Sequence, residues 1–190
     1  MRATGSGESP LLLLDVIAIL KSLRVPYAVV GAFAASFHGV VRASLDADAV
    51  ISLPSGQTDA KSLLDVLHQA GLKARYTKGE ARDPVGGVIA VEDRFGNRVD
   101  LLLKIRGMTD AVFARTVETE FMGERIRVIG LEDFVTMKVF AGSAKDLSDA
   151  AGVLQVSRNR IDRALLKQLA QSYGKETLRK LNALLQQYAP

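Results

Sequence analysis

Leu45-Asp46-Ala47-Asp48-Ala49-Val50-Ile51-Ser52-Leu53 is the stretch on which the fold of this chain turns. Leu45, Ala47, Ala49 and Ile51 fall on one side of a period-two pattern, and Asp46, Asp48, Val50 and Ser52 on the other. That alternation predicts a β-strand with its acids on one face. Residues i and i+2 of a strand project the same way, ~7 Å apart along the chain. Two carboxylates so placed repel each other unless water or a cation lies between them. Mg²⁺ is held by one or two carboxylates together with substrate phosphates. A pair of such ions clamps the attacking and leaving oxygens of a phosphoryl displacement. Asp-x-Asp by itself is common on solvated strands, so its surroundings decide its meaning.

Upstream, Tyr27 to Val30 reads as a short buried strand that runs into Gly31. Ala32 to His38 reads as a helix stopped by Gly39. A glycine at such a strand-to-helix turn lets backbone N–H groups approach a phosphate. Downstream, Asp100 sits inside the apolar run Val99-Asp100-Leu101-Leu102-Leu103. It is an edge residue, a salt-bridged core acid or, if its strand neighbours that of Asp46, the third acid of a metal site that helps activate an attacking hydroxyl.

The other elements follow from pattern. Ser9 is placed to cap a helix beginning at Pro10, with Leu13, Val16, Ile17, Leu20 and Leu23 at helical spacing. Pro54, Ser55 and Gly56 read as a turn, Lys61 to Ala70 as an amphipathic helix and Leu72 to Thr77 as a strand. Gly87 to Glu92 with Arg98 to Ile105, and Thr116 to Phe121 with Arg125 to Ile129, read as hairpins. Leu131–Ala141, Lys145–Val156, Ile161–Tyr173 and Lys175–Tyr188 read as helices. The predicted class is α+β, a mixed β-sheet core flanked by helices with a C-terminal helical part. The expected division is a loose tail over 1–8, a core over 9–130 and helices over 131–190 packed on it.

Composition narrows the chemistry. The chain has 190 residues, 48% hydrophobic, and no cysteine. Disulfides, thiolate metal sites and cysteine nucleophiles are therefore excluded, and a reducing, cytoplasmic setting is expected. The apolar run Leu11 to Leu20 is interrupted by Asp15 and is too short to span a bilayer, so no membrane partner is expected. From Val156 onward, seven basic residues face two acidic ones, although the whole chain carries only +4. Those C-terminal helices are either a solvated face or a surface for RNA or tRNA. His38 and His68 lack a nucleophile and acid at recognisable spacing and read as structural.

Gly31-Ala32-Phe33-Ala34 followed by Arg42-Ala43-Ser44-Leu45-Asp46-Ala47-Asp48 resembles the hallmark of the nucleotidyltransferase superfamily with the DNA polymerase beta-like fold. That hallmark is Gly-Gly or Gly-Ser at a helix start, then Arg-x-Ser/Thr-x-Asp-x-Asp. Leu131 to Lys138, and Lys145-Asp146-Leu147-Ser148-Asp149, extend the resemblance to the AbiEii-type nucleotidyltransferases, found as toxins of toxin–antitoxin pairs and as orphan proteins. The resemblance runs from about Val25 to Leu154. It implies Asp46, Asp48 and Asp100 as catalytic metal ligands for Mg²⁺ or Mn²⁺. It also implies Gly31, Ala32, Arg42, Ser44, Lys138 and Asp146 around a nucleoside triphosphate, with Lys138 on its phosphates. The implied activity moves a nucleoside monophosphate from an NTP to a hydroxyl of RNA, protein or a small molecule, and an antitoxin protein is an implied partner. Ala32 departs from the pattern: it keeps the backbone amide but lacks the hydroxyl of a Gly-Ser pair. A catalytically weak nucleotide- or partner-binding protein of the same fold is the alternative.

Overall fold

The computed structural model describes residues 1–53 and 59–188; the expected turn at Pro54, Ser55 and Gly56 lies outside them. The elements run α1 (Ser9–Ser22), β1 (Tyr27–Val29), α2 (Gly31–Phe37), β2 (Asp46–Ile51), α3 (Ala60–Gln69), β3 (Lys73–Lys78), β4 (Val85–Glu92) and β5 (Arg98–Ile105). A 3₁₀ turn (Asp110–Arg115), β6 (Val117–Phe121), β7 (Glu124–Val128), α4 (Leu131–Ala141), α5 (Ala144–Ser157), α6 (Arg163–Tyr173) and α7 (Lys175–Tyr188) complete them. The described strands form one seven-stranded mixed sheet, ordered β3-β4-β5-β2-β1-β7-β6. This is the α+β class expected from the pattern. Among the described residues, no helix is long and apolar enough to cross a membrane.

One face of the sheet makes the core. Ala47, Ala49, Ile89, Val91, Val99 and Leu101 are fully buried there, and α1 and α3 pack against the sheet. The alternation of β2 is thus used as its sequence suggests, except that Leu45 precedes the strand and is 83% exposed. The helices α4 to α7 pack mainly on one another. Tyr173 of α6 lies so close to Gly107 that a side chain there would collide with it.

One expectation at the N-terminus is corrected. Ser9 does not cap α1, whose first residue it is. Its hydroxyl instead donates to the Leu45 carbonyl and accepts from the Arg98 amide, tying together the starts of β2 and β5. The residues before α1 have polar partners. Arg2 pairs with Asp15 and Glu124, the Glu8 amide donates to Asn97, and Ala3 is buried.

Candidate active site

The site begins with sheet register. β2 and β5 run parallel and adjacent, with Asp48 opposite Asp100 and Asp46 opposite Arg98. Paired residues of neighbouring strands point to the same face, so Asp46, Asp48 and Asp100 share the face opposite the core. β1 then delivers Gly31 beside them, the Val30 amide donating to the Asp48 carbonyl at 2.9 Å. Gly31 has φ +63°, and a side chain there would run into the Asp48 carboxylate. Only glycine satisfies both demands. The sequence suggested that Gly31 makes room for phosphate; its nearest neighbour here is Asp48.

Asp48 carries the electrostatic burden. Burial and then the Asp100 charge push its carboxyl above the ordinary 3.8, while Lys138 pulls it down and Asp46 adds to the rise. Asp100 has a partner of its own: Arg98 grips both its oxygens, Nε to Oδ1 at 2.9 Å and Nη2 to Oδ2 at 3.0 Å. That hydrogen bonding, and then the Asp100 charge, hold the guanidinium pKa above its usual value, with Asp46 and Asp48 adding to the effect.

Behind the carboxylates lies a chain of ion pairs. Lys138 of α4 is buried, its Nζ 2.7 Å from Asp146 and 2.9 Å from Asp149 of α5. Arg42 reaches the same Asp149 at 3.2 Å. Ser143 caps α5, accepting from the Asp146 amide and donating from its hydroxyl to the Asp146 carboxylate. Burial alone would raise the Asp146 carboxyl, but hydrogen bonds from Lys138 and Ser143 outweigh it and hold the pKa below 3.8. Lys138 therefore points into a pair of acids and acts on Asp48 through its field. The loop from α2 to β2 is seated on this network, Val40 packing where Gly152 of α5 has no side chain.

Beside the carboxylates, a cavity of about 410 Å³ opens between α2, the loop carrying Arg42 and Ser44, and the β6–β7 hairpin. Ala32, Phe33, Phe37, Arg42, Ser44 and Phe121 line it, with Phe33 and Phe121 edge to face at 5.5 Å. The concavity thus adjoins the acids without containing them.

The structure accordingly brings Asp46, Asp48, Asp100 and Gly31 to one sheet face, links Arg42, Lys138 and Asp146 behind them, and sets Ala32 and Ser44 on the neighbouring cavity. Two residues with a part in it were not singled out from sequence. Asp149 closes the quoted motif three residues after Asp146, on the same helical face, and Arg98 lies two residues before Asp100, on the same strand face. His38 is structural, its Nε2 bonded to the Ile129 carbonyl at 2.9 Å, and burial lowers its pKa.

Three carboxylates suit a hard divalent cation in donor chemistry. Among the described residues, however, no three acidic, histidine or cysteine side chains are gathered closely enough to hold one. Arg98 engages the oxygens of Asp100 that a cation would need.

No protein-family model matches the chain, and no curated protein matches it. Solved structures do. An antigenic nucleotidyltransferase-like protein from Paracoccidioides brasiliensis superposes with a TM-score of 0.58 at 17% identity, over 97% of this chain and 91% of its own. The crystal structure of ANT(2'')-Ia in complex with adenylyl-2''-tobramycin gives 0.57 at 12% identity, over 85% of this chain and 94% of the other. The solution structure of the same antibiotic-resistance factor gives 0.57 at 13%, over 93% and 94%. At these identities the likeness is one of fold, and the chain has a nucleotidyltransferase-like fold.

Proposed function

We propose that the protein is a metal-dependent nucleotidyltransferase that moves a nucleoside monophosphate from an NTP to an acceptor hydroxyl. One observation carries the reading: Asp48 and Asp100 stand in register on adjacent parallel strands, with Gly31 cleared against Asp48, in a nucleotidyltransferase-like fold. Asp46, Asp48 and Asp100 would hold Mg²⁺ or Mn²⁺, which supplies charge neutralisation for the triphosphate.

The chain's own residues do the rest. The cavity of Ala32, Phe33, Phe37, Arg42 and Ser44 receives the donor nucleoside, aromatic edges against the base and polar groups toward the sugar and phosphates. Lys138, held by Asp146 and Asp149, keeps positive potential behind Asp48. The acceptor oxygen attacks the α-phosphorus, forming an O–P bond. The bond to the bridging oxygen of the β-phosphate breaks, and pyrophosphate leaves with that electron pair. Asp100, released from Arg98, takes the hydroxyl proton.

A second reading, a weakly catalytic nucleotide- or partner-binding protein such as one half of a toxin–antitoxin pair, is favoured by two features. Arg98 occupies Asp100, and Ala32 brings no hydroxyl to the cavity. The test is incubation of purified protein with each labelled NTP, Mn²⁺ and total cellular RNA, beside Asp46→Ala/Asp48→Ala. Label moved to RNA, protein or a small molecule by the wild type alone supports transfer. Absence of transfer together with absence of NTP binding contradicts it.

A further inference from the structure

The β6–β7 hairpin separates two cavities. Thr119, Phe121 and Val128 turn toward the aromatic one, and Glu118, Arg125 and Arg127 alternate to the other side. There a cavity of about 360 Å³ lies between the hairpin, the end of α1 and the start of β1. Lys21, Arg24, Arg125 and Arg127 line it against a single acid, Glu118.

That acid answers one cation only. Glu118 reaches Arg127 Nε at 3.2 Å, with both side chains about half exposed. Lys21 Nζ donates to the Arg125 carbonyl at 2.6 Å, a neutral partner that leaves its charge uncancelled. Arg24 and Arg125 are exposed, and among the described residues neither guanidinium has a hydrogen bond or ion pair. Tyr27, which also lines the cavity, is only 4% exposed. Its hydroxyl oxygen accepts from the Arg127 amide at 3.3 Å, and its proton has no acceptor among the described residues. Burial raises the phenol pKa, so that proton stays available for donation.

Arg24 is also strained. The Arg24 amide donates to the Lys21 carbonyl and the Val25 amide to the Leu20 carbonyl, so α1 ends in a Schellman arrangement. Arg24 fills its left-handed position at φ +54°, where glycine is the usual residue because a side chain is disfavoured. No hydrogen bond or ion pair of its guanidinium offsets that strain. Unsatisfied strain of this kind points to a ligand.

We propose that this cavity is a second binding site, and that it takes a diphosphate group held by Arg24, Arg125 and Arg127 with the Tyr27 hydroxyl. The site lies apart from the carboxylates and stands whether or not they transfer nucleotides. The donors select the class of ligand. A carboxylate brings one charge, and one guanidinium fork fills it. A phosphate group brings about −2 and three acceptor oxygens. Two joined groups supply oxygens for several forks and enough charge for four cations offset by one acid. An acidic peptide or a nucleic-acid strand needs cations in series along a track, whereas these surround one cavity of small-molecule size.

Free pyrophosphate and the diphosphate of an ester share this chemistry, and calorimetry in EDTA separates them. Chelation removes the cation that an anion would need at Asp46, Asp48 and Asp100. Inorganic pyrophosphate and ADP are each titrated into wild type, Arg24→Gly, Arg125→Gln and Asp46→Ala/Asp48→Ala, and citrate into wild type. Wild type and the carboxylate variant should bind pyrophosphate alike, and each arginine variant about tenfold more weakly. Arg24→Gly should nonetheless melt at or above the wild-type temperature, because glycine relieves the left-handed position. Pyrophosphate binding tighter than ADP assigns the site to the free anion, and the reverse assigns it to an ester; either result supports the site. Absence of pyrophosphate binding, citrate binding as tight as pyrophosphate, unaltered binding by both arginine variants, or loss in the carboxylate variant would each overturn the inference.

Discussion

Asp48 pays for its position in stability. Its pKa is raised in the fold, so the ionised form is disfavoured relative to the unfolded chain. The penalty is absent well below the ordinary value of 3.8, grows as pH rises toward the folded pKa, and is complete above it. Asp48→Asn is therefore expected to melt higher than wild type at pH 7, by ~2–4 °C if ~1 kcal/mol is relieved. The gain should shrink toward zero at acid pH. A variant that melts lower at neutral pH would show Asp48 to be a structural acid. Arg98→Gln takes away the cation on Asp100, so a few-fold tighter Mn²⁺ binding by calorimetry is expected. Asp48 itself could be picked out from sequence, because strand alternation exposes an acid pair directly. Arg98 could not, because its partnership with Asp100 depends on which way both side chains lean along the strand.

At the scale of elements, the α4–α5 ion network and the Ser9 clamp hold the site in place. Lys138 lies buried between Asp146 and Asp149. Lys138→Ala leaves Asp149 to Arg42 alone, and a loss of about 3 kcal/mol in urea unfolding is expected. The Asp146 pKa is depressed, so its contribution is full above the ordinary carboxylate value and is lost as pH falls through the folded one. The difference between wild type and Asp146→Asn should accordingly narrow below about pH 4. Ser9→Ala removes two hydrogen bonds that join the starts of β2 and β5, and about 1–3 kcal/mol is the expected cost. Hairpins and amphipathic helices were legible because each is local and periodic. The role of Ser9 was not: a serine before Pro10 looks like a cap, and only the approach of Leu45 and Arg98, far along the chain, reassigns its hydroxyl. The burial of Lys138 was hidden in the same way, since its two acids belong to another helix.

For the whole molecule, the order of elements and the acid-bearing face could be read in advance, and the adjacency that makes a site could not. β4 and β5 pair as a hairpin, which local turn signals disclose. The parallel pairing of β2 with β5, which sets Asp48 beside Asp100, is a long-range contact with no local signature. The central claim is that these two acids act together on a divalent cation. Its most direct test is Mn²⁺ binding, measured by calorimetry in the presence of a non-hydrolysable NTP analogue, for wild type, Asp48→Asn and Asp100→Asn. Saturable binding by wild type that falls steeply in both variants is the expected result. Binding that is absent from wild type, or equal in all three, would contradict a shared metal site at Asp48 and Asp100.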